Sequence, residues 1–151
     1  MRILFLCLGN ICRSPAAEGV TRALAEAAGL GWSLDSAGTG NWHAGEPPYA
    51  PMQAAARARG YELASLRARQ LTRADFARFD LILAMDRQNL RDAEALRAGA
   101  GAGAGGAELR LFLQDANGPE DVPDPYYTRD FDGCLDLIEA GARALLASVG
   151  R

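Results

Sequence analysis

Short continuous runs of apolar residues alternate along the chain with segments in which apolar residues recur at helical spacing. Four such runs predict β-strands: 2–7, 32–38, 79–86 and 108–113. Helical spacing and helix-ending glycines predict four helices: 14–29, 52–60, 87–99 and 130–150. Because strands that alternate with helices form parallel sheets, the pattern predicts an α/β fold with a four-stranded parallel sheet and helices on both faces.

The segments between these elements are rich in glycine and proline. Residues 38–51 and 118–127 have the composition of loops. Residues 99–106 read GAGAGAGG, a low-complexity sequence that predicts a flexible linker without a functional role. Ser14 and Pro15 are predicted to form the cap and first turn of the first helix.

The composition is that of one globular domain. The chain has 151 residues, 49% of them hydrophobic and 23% charged, so residues 1–151 are predicted to form a single domain. The formal net charge of -3 gives no electrostatic reason to expect binding to nucleic acid or to an anionic membrane. No apolar stretch approaches the roughly 18 residues that a membrane span needs. Three cysteines, an odd number, do not suggest a disulfide framework, and the sequence favours a reducing, cytoplasmic location.

The sequence CLGNICRSP, residues 7–15, follows the first predicted strand and leads into the first predicted helix. In a parallel sheet this is where ligands bind, and the free N–H groups of a helix N-terminus attract anions. Gly9 and Asn10 both tolerate left-handed backbone angles, so the loop can curl into an anion-binding nest. All 16 cationic residues of the chain are arginine, so the position of Arg13, six residues after Cys7, carries more weight than its type. That spacing lets the guanidinium grip two oxygens of a tetrahedral group.

These surroundings also favour the thiolate form of Cys7. Inward N–H groups, a helix N-terminus and Arg13 stabilise the negative sulfur, and Ser14 can add a hydrogen bond. A thiolate that faces a bound phosphate is a nucleophile placed for in-line attack at phosphorus. The alternative, an ordinary buried cysteine at the end of a strand, does not explain why Cys7, Arg13 and the helix start occur together.

Displacement at phosphorus also needs a proton donor for the leaving oxygen. Asp124 is the stronger candidate, because prolines on both sides stiffen its loop in DVPDPYY and two tyrosines follow it. His43 is the only histidine of the chain, but in a glycine- and proline-rich loop it is more typical of a surface residue.

The sequence resembles the low-molecular-weight protein tyrosine phosphatases over nearly its whole length. CLGNICRSP and DVPDPYY match the two signatures of that family, and DSAGTGNWH, RARQ and FDLILAMD follow in the expected order. The resemblance implies the family's flavodoxin-like fold and a two-step reaction without metal or cofactor. It also implies phosphotyrosine-containing proteins as substrates and inorganic phosphate as product and inhibitor, while the oligomeric state and the pathway stay open.

The resemblance further implies roles for individual residues. Cys7 would form a phosphocysteine, Arg13 would hold the phosphoryl oxygens, and Asp124 would act first as acid and then as base. Ser36 would support Asn10, which holds the loop in shape. The residues implied to bind substrate or phosphate are Leu8, Gly9, Asn10, Ile11, Cys12, Ser14, Trp42, Tyr126 and Tyr127.

Cys12 has two interpretations. It either packs within the loop or serves as a redox partner that captures oxidised Cys7 in a reversible disulfide. Cys134, on the apolar face of the last helix, is predicted to be a core residue.

The chain departs from the family pattern at three positions. Tyr49 and Pro51 stand where an aspartate and an arginine are common, and Leu66 stands where a histidine often helps to hold the loop asparagine. The support of Asn10 is therefore an open point, whereas none of the departures touches Cys7, Arg13 or Asp124.

Other functions are compatible with parts of the pattern. An arsenate reductase of this fold would need further cysteines after the third strand, and none is present there. Arginine phosphatases resemble the loop but carry threonine where this chain has Ile11. A phosphocysteine carrier of a sugar phosphotransferase system would need neither Arg13 nor an acid. A binding module for phosphotyrosine would not need the complete set of Cys7, Arg13 and Asp124, so tyrosine phosphatase is the favoured function.

Overall fold

The computed structural model describes residues 1–100 and 105–149. Its strands are β1 Arg2–Cys7, β2 Ser33–Gly38, β3 Leu81–Ala84 and β4 Glu108–Leu111. Its helices are α1 Arg13–Ala27, α2 Ala50–Ala58, α3 Asp75–Arg78, α4 Arg87–Ala100, α5 Pro125–Thr128 and α6 Phe131–Val149.

The four strands form one sheet in the order β2-β1-β3-β4, and all pairs are parallel. This confirms the predicted α/β fold. In β1 the side chains of residues 3–6 have no exposed surface, because helices cover both faces of the sheet. Cys7 pairs with Gly38 at the carboxyl end of β1, where ligand sites of parallel sheets form.

Alternate residues of β1 point into two separate cores. Ile3 and Phe5 belong, with Cys7, to a core that also contains buried residues of α1, α2 and α6. Leu4 and Leu6 belong to the opposite core, together with residues of α3 and α4. This two-residue period therefore places the Cys7 side chain on the same face of the sheet as α1.

The last helix, α6, is amphipathic as predicted. Leu135, Ile138 and Leu145 are buried, whereas Asp132 and Asp136 are exposed. Among the residues that the structure describes, no helix combines the length and the apolar character that a membrane span requires.

Two predictions for the segments between the main elements need correction, and one short helix was not predicted. The segment 118–127, predicted as loop throughout, contains the start of α5, because Pro125 suits the first helical turn and Asp124 caps it. The predicted linker 99–106 begins too early, since residues 99 and 100 belong to α4; its residues 101–104 lie outside the described part of the chain. The short helix α3 had no sequence prediction.

Candidate active site

A cleft of about 260 Å³ opens at the carboxyl edge of the sheet, between the loop after β1 and the segment around α5. It brings together the three residues predicted to carry the chemistry, although Asp124 lies 111 positions after Arg13 in the chain. Its lining residues are Cys7, Leu8, Gly9, Ile11, Cys12, Arg13, Trp42, His43, Asp124, Tyr126 and Tyr127.

The sulfur of Cys7 lies within reach of two hydrogen-bond donors. The Oγ of Ser14 is 2.9 Å from the Cys7 Sγ, and the backbone N–H of Asn10 donates to the same sulfur over 3.3 Å. Hydrogen bonds to a sulfur stabilise its negative form. The thiolate form of Cys7 itself stays a prediction.

Ser14 is not the helix cap that the sequence predicted. The helix α1 begins one residue earlier, at Arg13, and Cys12 occupies the cap position without a side-chain cap. The Ser14 hydroxyl is buried and directed to Cys7 and Asn10 instead. The contact with Cys7 was predicted, whereas the local cap that the residue type suggested is absent.

Asn10 takes the left-handed backbone conformation that was expected of it, with φ 57°. Its side-chain Nδ2 donates to Ser14 Oγ over 2.7 Å and to Ser36 Oγ over 3.0 Å. Its Oδ1 accepts from the backbone N–H of Arg69 over 3.0 Å. Three hydrogen bonds therefore hold the Asn10 side chain without a histidine at position 66. Leu66 at that position packs against the core instead.

Arg13 is almost fully buried and is fixed by two carboxylates and a carbonyl. Its Nη1 donates to Asp86 Oδ2 over 2.6 Å and to the carbonyl of Val122 over 3.0 Å, and its Nη2 reaches Asp124 Oδ2 over 3.4 Å. Burial disfavours the charge, but Cys7, Asp86 and Asp124 outweigh it and raise the pKa of Arg13. The guanidinium is thereby kept in one orientation beside the Cys7 sulfur.

Asp86 was missed by the sequence analysis. It lies two residues beyond β3, the neighbour of β1, and it also accepts from the backbone N–H of Asn89 at the start of α4. The signal that could have found it is an aspartate directly after a buried strand, at the same edge of the sheet as Cys7.

Asp124 caps the short helix α5. Its Oδ1 accepts from the backbone N–H of Tyr126 over 3.0 Å, while its Oδ2 faces Arg13. The cap fixes the carboxyl group at the cleft and leaves one oxygen directed toward its interior. This position is the one that a proton donor for a departing group would need.

The model of the family "Low molecular weight phosphotyrosine protein phosphatase" matches residues 2–151. The chain belongs to this family. The chain is 46% identical over 156 residues to the low molecular weight protein-tyrosine-phosphatase of Streptomyces coelicolor, covering 98% of this chain and 93% of the relative.

Two further proteins extend the comparison. The low molecular weight protein-tyrosine-phosphatase YfkJ of Bacillus subtilis is 43% identical over 151 residues, covering 97% of this chain and 94% of the relative. Its crystal structure aligns with a TM-score of 0.88 at 40% identity, covering 99% of this chain and 94% of that one. A Drosophila arginine phosphatase aligns with a TM-score of 0.93 at 29% identity, covering 100% and 99% of the two chains.

Aromatic side chains form the rim of the cleft in this phosphatase. Trp42 and Tyr127 are 69% and 72% exposed, and Tyr126 is 41% exposed. The Tyr49 ring lies 5.2 Å from the ring of Tyr126, and the guanidinium of Arg129 lies 5.3 Å from the Tyr49 ring. Tyr49 therefore supports this rim, and Pro51, the second departure, lies in the first turn of α2.

His43 lines the cleft, whereas the sequence suggested an ordinary surface residue. Its ring packs beside Gly9, where an added Cβ would lie 3.2 Å from the ring carbon Cδ2, and its Nδ1 is hydrogen-bonded to Glu46. No local pattern of residues indicates this contact, because the ring reaches the loop after β1 from a different loop.

Cys12 and Cys134 are buried free thiols. Burial raises the pKa of Cys12, and the charges of Cys7 and Asp124 raise it further. Burial also raises the pKa of Cys134 to about 12, in agreement with its predicted place in the core. Cys12 thus packs as a neutral thiol in this state, and its pairing with oxidised Cys7 stays a prediction.

Gly38 allows the loop of this phosphatase to lie against the end of β2. A Cβ on Gly38 would lie 2.6 Å from the carbonyl oxygen of Leu8 and 3.2 Å from the backbone nitrogen of Asn10. Both atoms belong to backbone that cannot turn aside. A side chain at this position must therefore displace the loop that surrounds the Cys7 sulfur.

Replacing Gly38 with alanine is expected to lower kcat/KM about 10²-fold, because a shift of about 1 Å in a catalytic loop has costs of that order. The measurement is the hydrolysis of p-nitrophenyl phosphate. The matched control is Gly31→Ala, since Gly31 has no atom within 4 Å of an added Cβ. Full activity of Gly38→Ala would contradict the close approach.

Proposed function

We propose that this protein hydrolyses phosphotyrosine through a phosphocysteine on Cys7, with Arg13 as the oxyanion ligand and Asp124 as acid and base. The observation that supports it most directly is the convergence of these three side chains on one cleft, with Cys7 Sγ held by two hydrogen-bond donors. The family to which the chain belongs is named for the same activity.

In the first step a lone pair of the Cys7 sulfur forms a bond to phosphorus. The bond between phosphorus and the phenolic oxygen breaks, and its electron pair stays on that oxygen. Asp124 gives the oxygen a proton, so that a neutral tyrosine leaves. Asp124 is suited to this because its cap to Tyr126 holds the carboxyl group at the cleft.

The charge on the transferring phosphoryl group is stabilised by Arg13 and by the backbone N–H groups of residues 8–13. Asp86 and the Val122 carbonyl hold Nη1 of Arg13, so the guanidinium is oriented before substrate arrives. Among the described residues its Nη2 has one contact, the longer one to Asp124, so an N–H of Nη2 is available to a phosphoryl oxygen. A fixed arginine and backbone dipoles supply the positive potential, and we propose that the reaction needs no metal.

In the second step Asp124, now a carboxylate, takes a proton from a water molecule that attacks phosphorus. The bond between sulfur and phosphorus breaks, and its electrons return to the Cys7 sulfur. Ser14 and Asn10 stabilise the departing thiolate through the same hydrogen bonds that favour it before the reaction. Inorganic phosphate then leaves the cleft.

The walls of the cleft support an aromatic substrate. Leu8, Ile11 and Trp42 line it together with Tyr126 and Tyr127, and such a surface suits a phenyl ring better than a guanidinium, whose N–H groups would lose hydrogen bonds there. The three cysteines of the protein are free thiols, which fits a reducing compartment. We therefore propose that the enzyme is cytoplasmic and acts on phosphotyrosine in proteins.

The test is a comparison of phosphotyrosine, phosphoserine and phosphoarginine in peptides of otherwise identical sequence. We expect kcat/KM for phosphotyrosine to exceed the other two about 10²-fold or more, because only its ring fills the apolar walls. Rates with and without EDTA should be equal. Preferred hydrolysis of phosphoarginine, or loss of activity in EDTA, would contradict the proposal.

A further inference from the structure

A glutamate that does not line the cleft lies buried behind the loop after β1. Glu18, on α1, is 4% exposed. Its Oε2 accepts from Arg22 Nη2 over 2.7 Å, and its Oε1 accepts from the hydroxyl of Ser36 over 2.8 Å. Burial of a carboxylate is costly, and the two proposed reaction steps do not use this one. Its contacts indicate what it does.

A chain of hydrogen bonds links Glu18 to the Cys7 sulfur through Ser36, Asn10 and Ser14. The side chain of Asn10 determines which group donates in each of these bonds. The Oδ1 of Asn10 accepts from the backbone N–H of Arg69, which identifies the other side-chain atom as the NH₂ group. The two hydrogens of that group go to Ser14 Oγ and to Ser36 Oγ. Both hydroxyl oxygens therefore act as acceptors toward Asn10.

Each of these serines then has one hydrogen left to donate. The hydrogen of Ser36 goes to Glu18, because a carboxylate can only accept. The hydrogen of Ser14 has two acceptors in reach: Cys7 Sγ at 2.9 Å and the Ala37 carbonyl at 3.4 Å. The shorter contact places it on the sulfur.

We propose that Glu18 is a positioning residue, which helps keep the Cys7 sulfur negatively charged by fixing the hydrogen bonds that run through Ser36, Asn10 and Ser14. The inference rests on the proposed role of Cys7 as nucleophile. Without an acceptor at Glu18, the Ser36 hydroxyl is free to turn its hydrogen toward Asn10. The amide then loses one of its partners, and the donation from Ser14 to the sulfur is no longer enforced.

The groups around Glu18 act on its pKa in opposite directions. Burial raises the pKa of Glu18, and the hydrogen bonds from Arg22 and Ser36 counteract that rise. The charge of Asp35 on β2 raises the pKa of Glu18 further, although Asp35 is itself paired with Arg69. The direct contact with Arg22, on the same helix, favours the carboxylate form on which the proposal rests.

The primary experiment measures alkylation of Cys7 by iodoacetamide as a function of pH, followed by mass spectrometry of the Cys7 peptide. In Glu18→Leu, which removes the acceptor, the acid limb of the profile should move to higher pH, with rates on that limb about tenfold lower, as expected for the loss of one hydrogen bond to a charged group. The matched control is Glu26→Leu, at an exposed glutamate on the same helix, whose profile should equal that of the unmodified protein.

Two further variants separate positioning from a general structural effect. Ser36→Ala breaks the same path while the residue at position 18 stays glutamate, and it should give the same shift, so it carries the test if Glu18→Leu does not fold. In a Ser14→Ala background, Glu18→Leu should produce no further shift, because the path to the sulfur is already interrupted.

Two results would overturn the inference. One is a Glu18→Leu or Ser36→Ala protein that loses thermal stability but keeps the original alkylation profile. The other is an equal shift with and without Ser14. Alkylation needs no turnover, so these outcomes are distinct from failure of the proposed function, which would appear as substantial hydrolysis by a protein that lacks the Cys7 thiol.

Discussion

Replacement of Cys7 by serine is expected to abolish hydrolysis while phosphate binding survives. A serine hydroxyl stays neutral where the thiolate is charged, so the nucleophile is lost and the rate should fall by about 10⁴ or more. The phosphate ligands stay in place, because Asp86 and Val122 hold Arg13 independently of the sulfur. Release of phosphate from p-nitrophenyl phosphate and calorimetric binding of inorganic phosphate measure the two effects separately.

The matched control is Cys134→Ala, which removes another buried thiol outside the cleft lining. It should keep its turnover, although the cavity in the core lowers its thermal stability. A second check is whether a bound anion protects Cys7 against alkylation. Phosphate or vanadate should slow alkylation of Cys7 in the unmodified protein. Appreciable hydrolysis by Cys7→Ser would mean that another group attacks phosphorus.

The part of the site that the sequence predicted well is local in the chain. Cys7, Asn10 and Arg13 lie close together in the chain, between a strand and a helix, so spacing and backbone preference suffice to place them together at the carboxyl edge of the sheet. The strands could be predicted equally well, because a strand covered on both faces must be apolar throughout, as in β1. The ends of the strands were predicted less well, and β3 is shorter than its apolar run suggested.

The parts that were missed depend on distant contacts. Asp86 reaches Arg13 across 73 positions, and His43 contacts Gly9 from a separate loop. The hydrogen bond of Ser14 to Cys7 was predicted, but Ser14 was also assigned a local cap, the common use of serine before a helix, because no local rule indicates that Asn10 donates to its hydroxyl. Which polar groups meet in a buried network is decided by the packing of α1 against β1 and β2, and a pattern of residue types does not contain that information.

Removal of the Asp124 carboxyl group is expected to slow the enzyme according to the leaving group. With phenyl phosphate, whose leaving oxygen needs a proton, Asp124→Ala should lower kcat/KM, which reports the first step, by about 10² to 10⁴. With p-nitrophenyl phosphate, whose leaving group is stable as an anion, the loss in kcat/KM should be much smaller. The measurement is the dependence of kcat/KM on the leaving group across a series of substituted phenyl phosphates, which should be steep in the variant and shallow in the original enzyme.

Two controls connect this result to proton transfer. Asp124→Asn keeps an acceptor oxygen for the backbone N–H of Tyr126, so it preserves the cap of α5 while it removes the acid. It should show the same dependence on the leaving group as Asp124→Ala, because the proton and not the cap is what the leaving oxygen needs. Asp121→Ala, in the same loop but hydrogen-bonded to the backbone of Arg87, should retain the shallow dependence. Equal losses for good and poor leaving groups in both Asp124 variants would assign Asp124 to holding the loop and leave the proton to another donor.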